Sequence, residues 1–165
     1  MKISLDISVP SPLWRGLPRA RAIARETIAT AVVENEDIMR DGATVSLCLA
    51  DDAALRELNL RWRGLDKPTN VLSFPMADER DLSRTNLASG ELLLGDIVLA
   101  RGVCVAEAAE KGVSVEDHAV HLVVHGTLHL LGYDHGNDRD ADDMEEREVR
   151  ALKRLGIANP YEIHA

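Results

Sequence analysis

Three of the chain's six histidines fall within eleven residues, His125-Gly126-Thr127-Leu128-His129-Leu130-Leu131-Gly132-Tyr133-Asp134-His135. On a helix, His125 and His129 stand on one face about a turn apart, close enough to share one ion. Gly132 follows where a helix would end in a left-handed turn, and such a turn can swing His135 back towards the first two. Three neutral imidazoles with a fourth position left open make a catalytic zinc site rather than a closed structural one. The expected cofactor is therefore one Zn2+ held by His125, His129 and His135.

The spacing H-x3-H-x2-G-x2-H resembles that of the metzincin zinc proteases. Those enzymes carry Glu directly after the first histidine as general base, and here that position is Gly126. The chain offers the metal cage without the protease's base. A different pairing is conceivable, because His121 lies four residues before His125 and His118 is roughly on the same stripe. His125 and His129 are preferred because only they have His135 at the right distance beyond Gly132. His121 is then a core residue or a support for a ligand, and His118 belongs at the surface or beside a substrate groove. Asp134 can serve as a base or orient a histidine. Asp96 and Glu91 are strand-end acids that the sequence leaves unassigned.

The elements that must position these groups follow from periodicity. Ile3, Leu5, Ile7 and Val9 alternate with polar residues as in a half-buried strand. Pro18 suits a first helical turn, and a helix runs to about Asn35. Thr44 to Ala50 is a second strand. Asp51 reads as an N-cap, with Leu55, Leu58 and Trp62 inward on a short helix that Gly64 ends. Asn70 to Phe74 is a third strand closed by Pro75, and polar residues 76–90 form a loop. Glu91 to Ala100 is a fourth strand, in which Gly95 marks a bulge or a close backbone approach. A helix over 101–111 stops at Gly112. Ser114 to Asp117 reads as a capping box, and the histidine helix follows over about 116–131, apolar on most sides and hence central. The last helix, about 139–155, turns Ala141, Met144, Leu152 and Leu155 inward, and the acids from Asp138 to Glu148 are placed on its outer face. The fold class is α+β: a small mixed four-stranded sheet covered by about five helices.

A chain of 165 residues suits one domain with its own core, here a single metal-dependent hydrolase domain over 1–165. No run approaches the ~18 apolar residues of a membrane span, and the charged, alternating first residues do not suit a signal peptide. Cys48 and Cys104 sit in apolar runs without metal spacing, as free thiols of a reducing cytoplasm do. The net charge is −9, which argues against a protein that coats nucleic acid. All the excess acid lies in residues 68–165, with nine basic against eighteen acidic residues, whereas residues 1–67 balance ten against ten. Local basic patches remain open to the first part, one around Arg15, Arg19, Arg21 and Arg25 and one around Arg61, Arg63 and Lys67.

His125-Gly-Thr-Leu-His129-Leu-Leu-Gly-Tyr-Asp-His135 resembles the H-G-x-L-H-L-x-G-Y-D-H signature of the YbeY endoribonucleases. Leu58 to Arg63, Lys67 to Pro75 (Lys-Pro-Thr-Asn-Val-Leu-Ser-Phe-Pro) and Leu94-Gly95-Asp96-Ile97 resemble that family's other motifs in the same order. The resemblance runs from about residue 44 to 156. It implies a bacterial, cytoplasmic enzyme that cuts single-stranded RNA. It also implies a role in 3′-end maturation of small-subunit (16S) ribosomal RNA and in ribosome quality control. The three histidines would hold the metal, and Arg63 would be the other residue tied to activity. The chemistry is consistent with this. A metal with an open position can polarise a phosphate or lower a bound water's pKa to about 7, and the planar Arg63 fork can clamp a phosphate through two hydrogen bonds. By spacing alone, Arg63 reads first as a surface arginine at a helix end, and it is the resemblance that reverses this. Thr69 and Ser73, if their strand edges the cleft, could touch the substrate backbone. The nucleophile, water or the RNA 2′-OH, is left open. Aromatic content of 3% gives few stacking platforms. Recognition then leans on the RNA backbone, or on a small-subunit component or assembly factor that presents the RNA. The alternatives are a zinc metalloprotease-like hydrolase and a non-catalytic ribosome-assembly factor with a structural metal.

Overall fold

The computed structural model describes residues 3–8, 26–30, 43–76, 92–134 and 136–162. The elements, in chain order, are β1 (Ile3–Ser8), β2 (Ala43–Ala50), α1 (Asp52–Arg63), β3 (Val71–Pro75), β4 (Leu92–Ala100), α2 (Arg101–Lys111), α3 (Val115–Leu130) and α4 (Asp138–Arg154). Residues 26–30 are also helical. The remainder of the helix expected over 18–35, the polar stretch 77–90 and Glu91 lie outside the described residues, as do Arg15, Arg19, Arg21 and Arg25.

The sheet order is β1-β2-β4-β3. β1, β2 and β4 run parallel, and β3 lies antiparallel at the β4 edge. The fold is α+β with a small mixed sheet. Pro75 closes β3, a position an edge strand tolerates because one face of its backbone needs no ladder donor. Gly95 is the bulge that a glycine inside a strand suggests. The β2–β4 register passes from Thr44↔Leu93 to Val45↔Gly95 and leaves Leu94 as the extra residue. Gly95 has φ 140°, and a Cβ there would sit 2.2 Å from the Phe74 carbonyl oxygen and 3.0 Å from Leu130 Cδ2. Only glycine lets β3 and the end of α3 come this close to β4.

Alternation along the strands sends two sets of side chains to opposite faces. Val45, Leu47, Leu49, Ile97 and Leu99 meet the apolar residues of α3, and Met144, Ala151 and Leu152 of α4 close the same core from beyond α3. Leu72, Val98 and Ala100 face α1 through Leu55. The order of layers is α1, sheet, α3, α4. Each fully buried leucine or isoleucine of this core, such as Leu47, Ile97 or Leu128, stabilises the fold by roughly 1.5–3 kcal/mol.

Helix starts are set by side chains that accept the otherwise unpaired N–H groups. Asp51 accepts from the Ala54 N–H at 2.9 Å, Ser114 from the Asp117 N–H at 3.0 Å, and Asn137 from the Asp140 N–H at 2.8 Å. One inward position differs from expectation. Trp62 is 62% exposed, whereas Asn59 is fully buried. Asn59, one turn after Leu55, is held inward by its amide, which donates to the Lys67 carbonyl at 2.9 Å, and Trp62 lies edge-on to Phe74 at 6.2 Å while remaining largely open to solvent.

Candidate metal centre

Among the described residues, helix α3 is the best-buried helix, with eleven of its sixteen residues buried. Its close seat on the sheet depends on Gly126, where a Cβ would lie 3.1 Å from Ile97 Cγ2. The helix ends in a Schellman turn. Tyr133 N–H donates to the Leu128 carbonyl and Gly132 N–H to that of His129, both at 3.0 Å, and Gly132 takes φ 97°. The backbone therefore reverses where the sequence suggests, immediately before His135. His135 itself lies outside the described residues.

Of the sequence-identified site residues, the structure brings His125 and His129 together. Their Nε2 atoms are 3.1 Å apart, with the rings 4.6 Å apart at an interplanar angle of 79°. Two nitrogens bound to one tetrahedral zinc at 2.0–2.1 Å stand about 3.3 Å apart, so the pair fits two positions of such an ion. Among the described residues, no group of three or more His, Cys, Asp or Glu is placed to hold a metal.

Behind His125 lies a residue that the sequence reading misplaced. Glu148, expected on the outer face of α4, is 1% exposed and points inward. Its Oε1 accepts from His125 Nδ1. Its Oε2 takes His121 Nε2 at 3.0 Å and the Tyr161 hydroxyl. Burial pushes the Glu148 carboxyl up, but hydrogen bonds from His121 and His125 outweigh it and hold the group at about 2. Burial and the Glu148 carboxylate together push the Tyr161 hydroxyl up. The signal was present in the sequence. Glu148 occupies the line of Ala141, Met144, Leu152 and Leu155, at four-residue steps from Met144 and Leu152.

His118, placed by the sequence reading at the surface or near a groove, is instead 2% exposed. Its Nε2 meets Glu107 Oε1 at 2.9 Å, and Glu107 also accepts from the Asn70 amide at 3.0 Å. Burial lowers the affinity of His118 for a proton, and Glu107 opposes this only in part. Glu107 is raised by burial but lowered overall by His118 and Asn70. Asn70 in turn accepts from the Val71 N–H at 2.7 Å, so this set ties α2 and α3 to the start of β3.

Arg63 is the exposed last residue of α1, the helix on the sheet face opposite α3. Thr69 is half-buried in the connection before β3. Ser73 pairs with Ile97 on the edge strand and alternates with Val71 onto the face that packs against α3. Asp96 turns to the other face and lines a cavity of about 570 Å³ with Trp62 and Phe74. Tyr133 is half-buried against the main core, with the Arg147 guanidinium 4.5 Å from its ring centre. Cys48 and Cys104 are free, and burial pushes the Cys104 thiol up to about 11, which suits a packing role. No helix among the described residues is long and apolar enough to cross a membrane.

Fold and site define the chain as an α+β protein built on a central helix that presents two convergent histidines. A family model described as Endoribonuclease YbeY matches residues 18–156. An Endoribonuclease YbeY of Rhizorhabdus wittichii is 59% identical over 122 residues, 73% of this chain and 72% of the relative. One of Novosphingobium aromaticivorans is 46% identical over 163 residues, 98% of this chain and 96% of the relative. A solution structure from Thermotoga maritima matches the fold with a TM-score of 0.55 at 20% identity, over 96% of this chain and 99% of that one. The chain belongs to the YbeY family.

Proposed function

We propose that the protein is an endoribonuclease, a single metal-dependent hydrolase domain over residues 1–165. It cuts single-stranded RNA in the cytoplasm, and it acts in 3′-end maturation of small-subunit (16S) ribosomal RNA and in ribosome quality control. Support for the activity comes from relatives named Endoribonuclease YbeY over nearly the whole chain. The observation that carries the site is the 3.1 Å approach of His125 Nε2 and His129 Nε2. His125, His129 and His135 hold one Zn2+, which when bound supplies an electrophile for the oxygens of a scissile phosphate. Gly132 provides the turn after the pair that this assignment calls for.

The other roles fall to exposed and edge positions. Arg63 clamps a phosphate oxygen pair with its planar donors. Thr69 and Ser73 offer hydroxyls to the RNA backbone. The acidic outer face of α4, with Asp138, Asp140, Asp142 and Asp143 exposed, repels bulk nucleic acid. Delivery of the RNA by the small ribosomal subunit or an assembly factor follows from that charge.

Cleavage of a labelled single-stranded RNA tests this, with zinc content measured beside it. Wild type is expected to cut and to bind one zinc. His129→Ala should lose both, and Arg63→Ala should keep zinc and lose at least tenfold in cutting. Equal cutting by all three would mark the activity as a contaminant and overturn the nuclease assignment.

A further inference from the structure

We infer that Glu148 is a positioning residue for the metal centre, setting the tautomer and aim of His125 through its carboxylate; this rests on the proposed three-histidine site. Glu148 stands where an apolar side chain would complete the inward line of α4, and it is 1% exposed. Removing a carboxylate from water is costly unless its oxygens are paired, so packing alone does not account for it. Three donors converge on it instead: His125 Nδ1 on Oε1, and His121 Nε2 with the Tyr161 hydroxyl on Oε2. Those partners come from α3, one turn apart, and from the segment after α4.

The direction of these bonds fixes the protons. An ionised carboxylate only accepts, so His125 must carry its proton on Nδ1. In the neutral ring that a metal takes as ligand, Nε2 is then the nitrogen left with the lone pair, and that is the atom 3.1 Å from His129 Nε2. His121 likewise donates from Nε2. Its Nδ1 is buried without a partner among the described residues. A histidine ligand whose other nitrogen donates to a carboxylate is held in tautomer and orientation and is a more basic ligand. The unit is thus Tyr161 and His121 holding one oxygen of Glu148, while the other holds His125.

Glu148→Gln discriminates sharply because it keeps the shape. A carboxamide has one accepting oxygen and one donating nitrogen. Two donors, His121 and Tyr161, compete for the oxygen against one, His125. The amide is therefore expected to turn its nitrogen towards His125 Nδ1, which must then accept. His125 is driven to the Nε2–H form, and its lone pair is lost to the site.

Two readouts on the full chain test this: zinc affinity by competition with a chelating dye, and the protonated nitrogen of His125 by 15N NMR on zinc-free protein. Wild type should bind one zinc and show Nδ1–H, whereas Glu148→Gln should bind about 10- to 100-fold more weakly and lose the Nδ1–H signature. If wild type and His129→Ala behave as the metal site requires but Glu148→Gln binds zinc like wild type, the role of Glu148 falls and the metal site stands. If wild type binds no zinc, both fall. Should Glu148→Gln fail to fold without zinc, the wild-type spectrum still decides, since His125 protonated on Nε2 overturns the role.

Discussion

Position 126 has no room for the glutamate that a zinc protease carries directly after its first histidine. Position 126 is buried, and its Cβ would already press on Ile97 at 3.1 Å. A glutamate there would drive a carboxylate into the contact between α3 and β4, with apolar atoms of the core around it. Gly126→Glu is expected to destabilise the protein by on the order of 3 kcal/mol or more, read as a fall in the urea midpoint. An unchanged midpoint would mean that α3 does not sit this close to the sheet. Restoring the protease base would thus break the helix seat before it could serve chemistry.

The elements show which parts of this architecture a sequence can disclose. Strands and helices with clear periods, and stops at Gly64, Gly112 and Gly132, were legible because each rests on local backbone chemistry. Gly95 was legible as an irregularity, although the partner that demands it, the Phe74 carbonyl, is twenty-one residues away and could not be read. Gly95→Ala makes this concrete. The methyl group would need to displace Phe74 O at 2.2 Å and adopt φ 140°, so a loss of about 3 kcal/mol or more is expected, measured by thermal unfolding. A loss below about 1 kcal/mol, the ordinary scale of a surface change, would contradict the bulge. The histidine pair was legible because its partners lie on one helix. Glu148 sits on the line of Met144 and Leu152, yet a carboxylate on an inward line is ordinarily read as solvated unless its partners are known. Its inward aim depends on His121, His125 and Tyr161, none of which belongs to its own element. The burial of Asn59 was hidden for the same reason, since the carbonyl that holds it, that of Lys67, lies outside the helix.

At the scale of the whole molecule, the joint between α2, α3 and β3 makes stability depend on pH in a definite direction. His118 is buried against Glu107, and its folded pKa is lowered chiefly by burial, with Lys111 and His121 adding repulsion and Glu107 opposing. An unfolded histidine takes up a proton near pH 6.5, whereas the folded His118 resists it. As pH falls below about 6.5, the unfolded state gains protons that the native state refuses, and stability declines. Glu107 acts in the same sense at lower pH. Its folded pKa is lowered by His118 and Asn70 against the effect of burial, so its contribution is present above the unfolded carboxylate value and lost as pH falls through the folded one. The fold should therefore be steady above pH 7 and weaken progressively towards pH 4. Unfolding free energies for wild type and His118→Gln, measured with zinc chelated at pH 7.5, 6.5 and 5.5, separate this joint from the other histidines. The glutamine keeps a donor for Glu107 but cannot titrate. The variant's profile should be flatter below pH 6.5 by up to about 1.4 kcal/mol per pH unit, the limit for one proton. Parallel profiles would assign the acid sensitivity to other groups and leave His118 as packing alone.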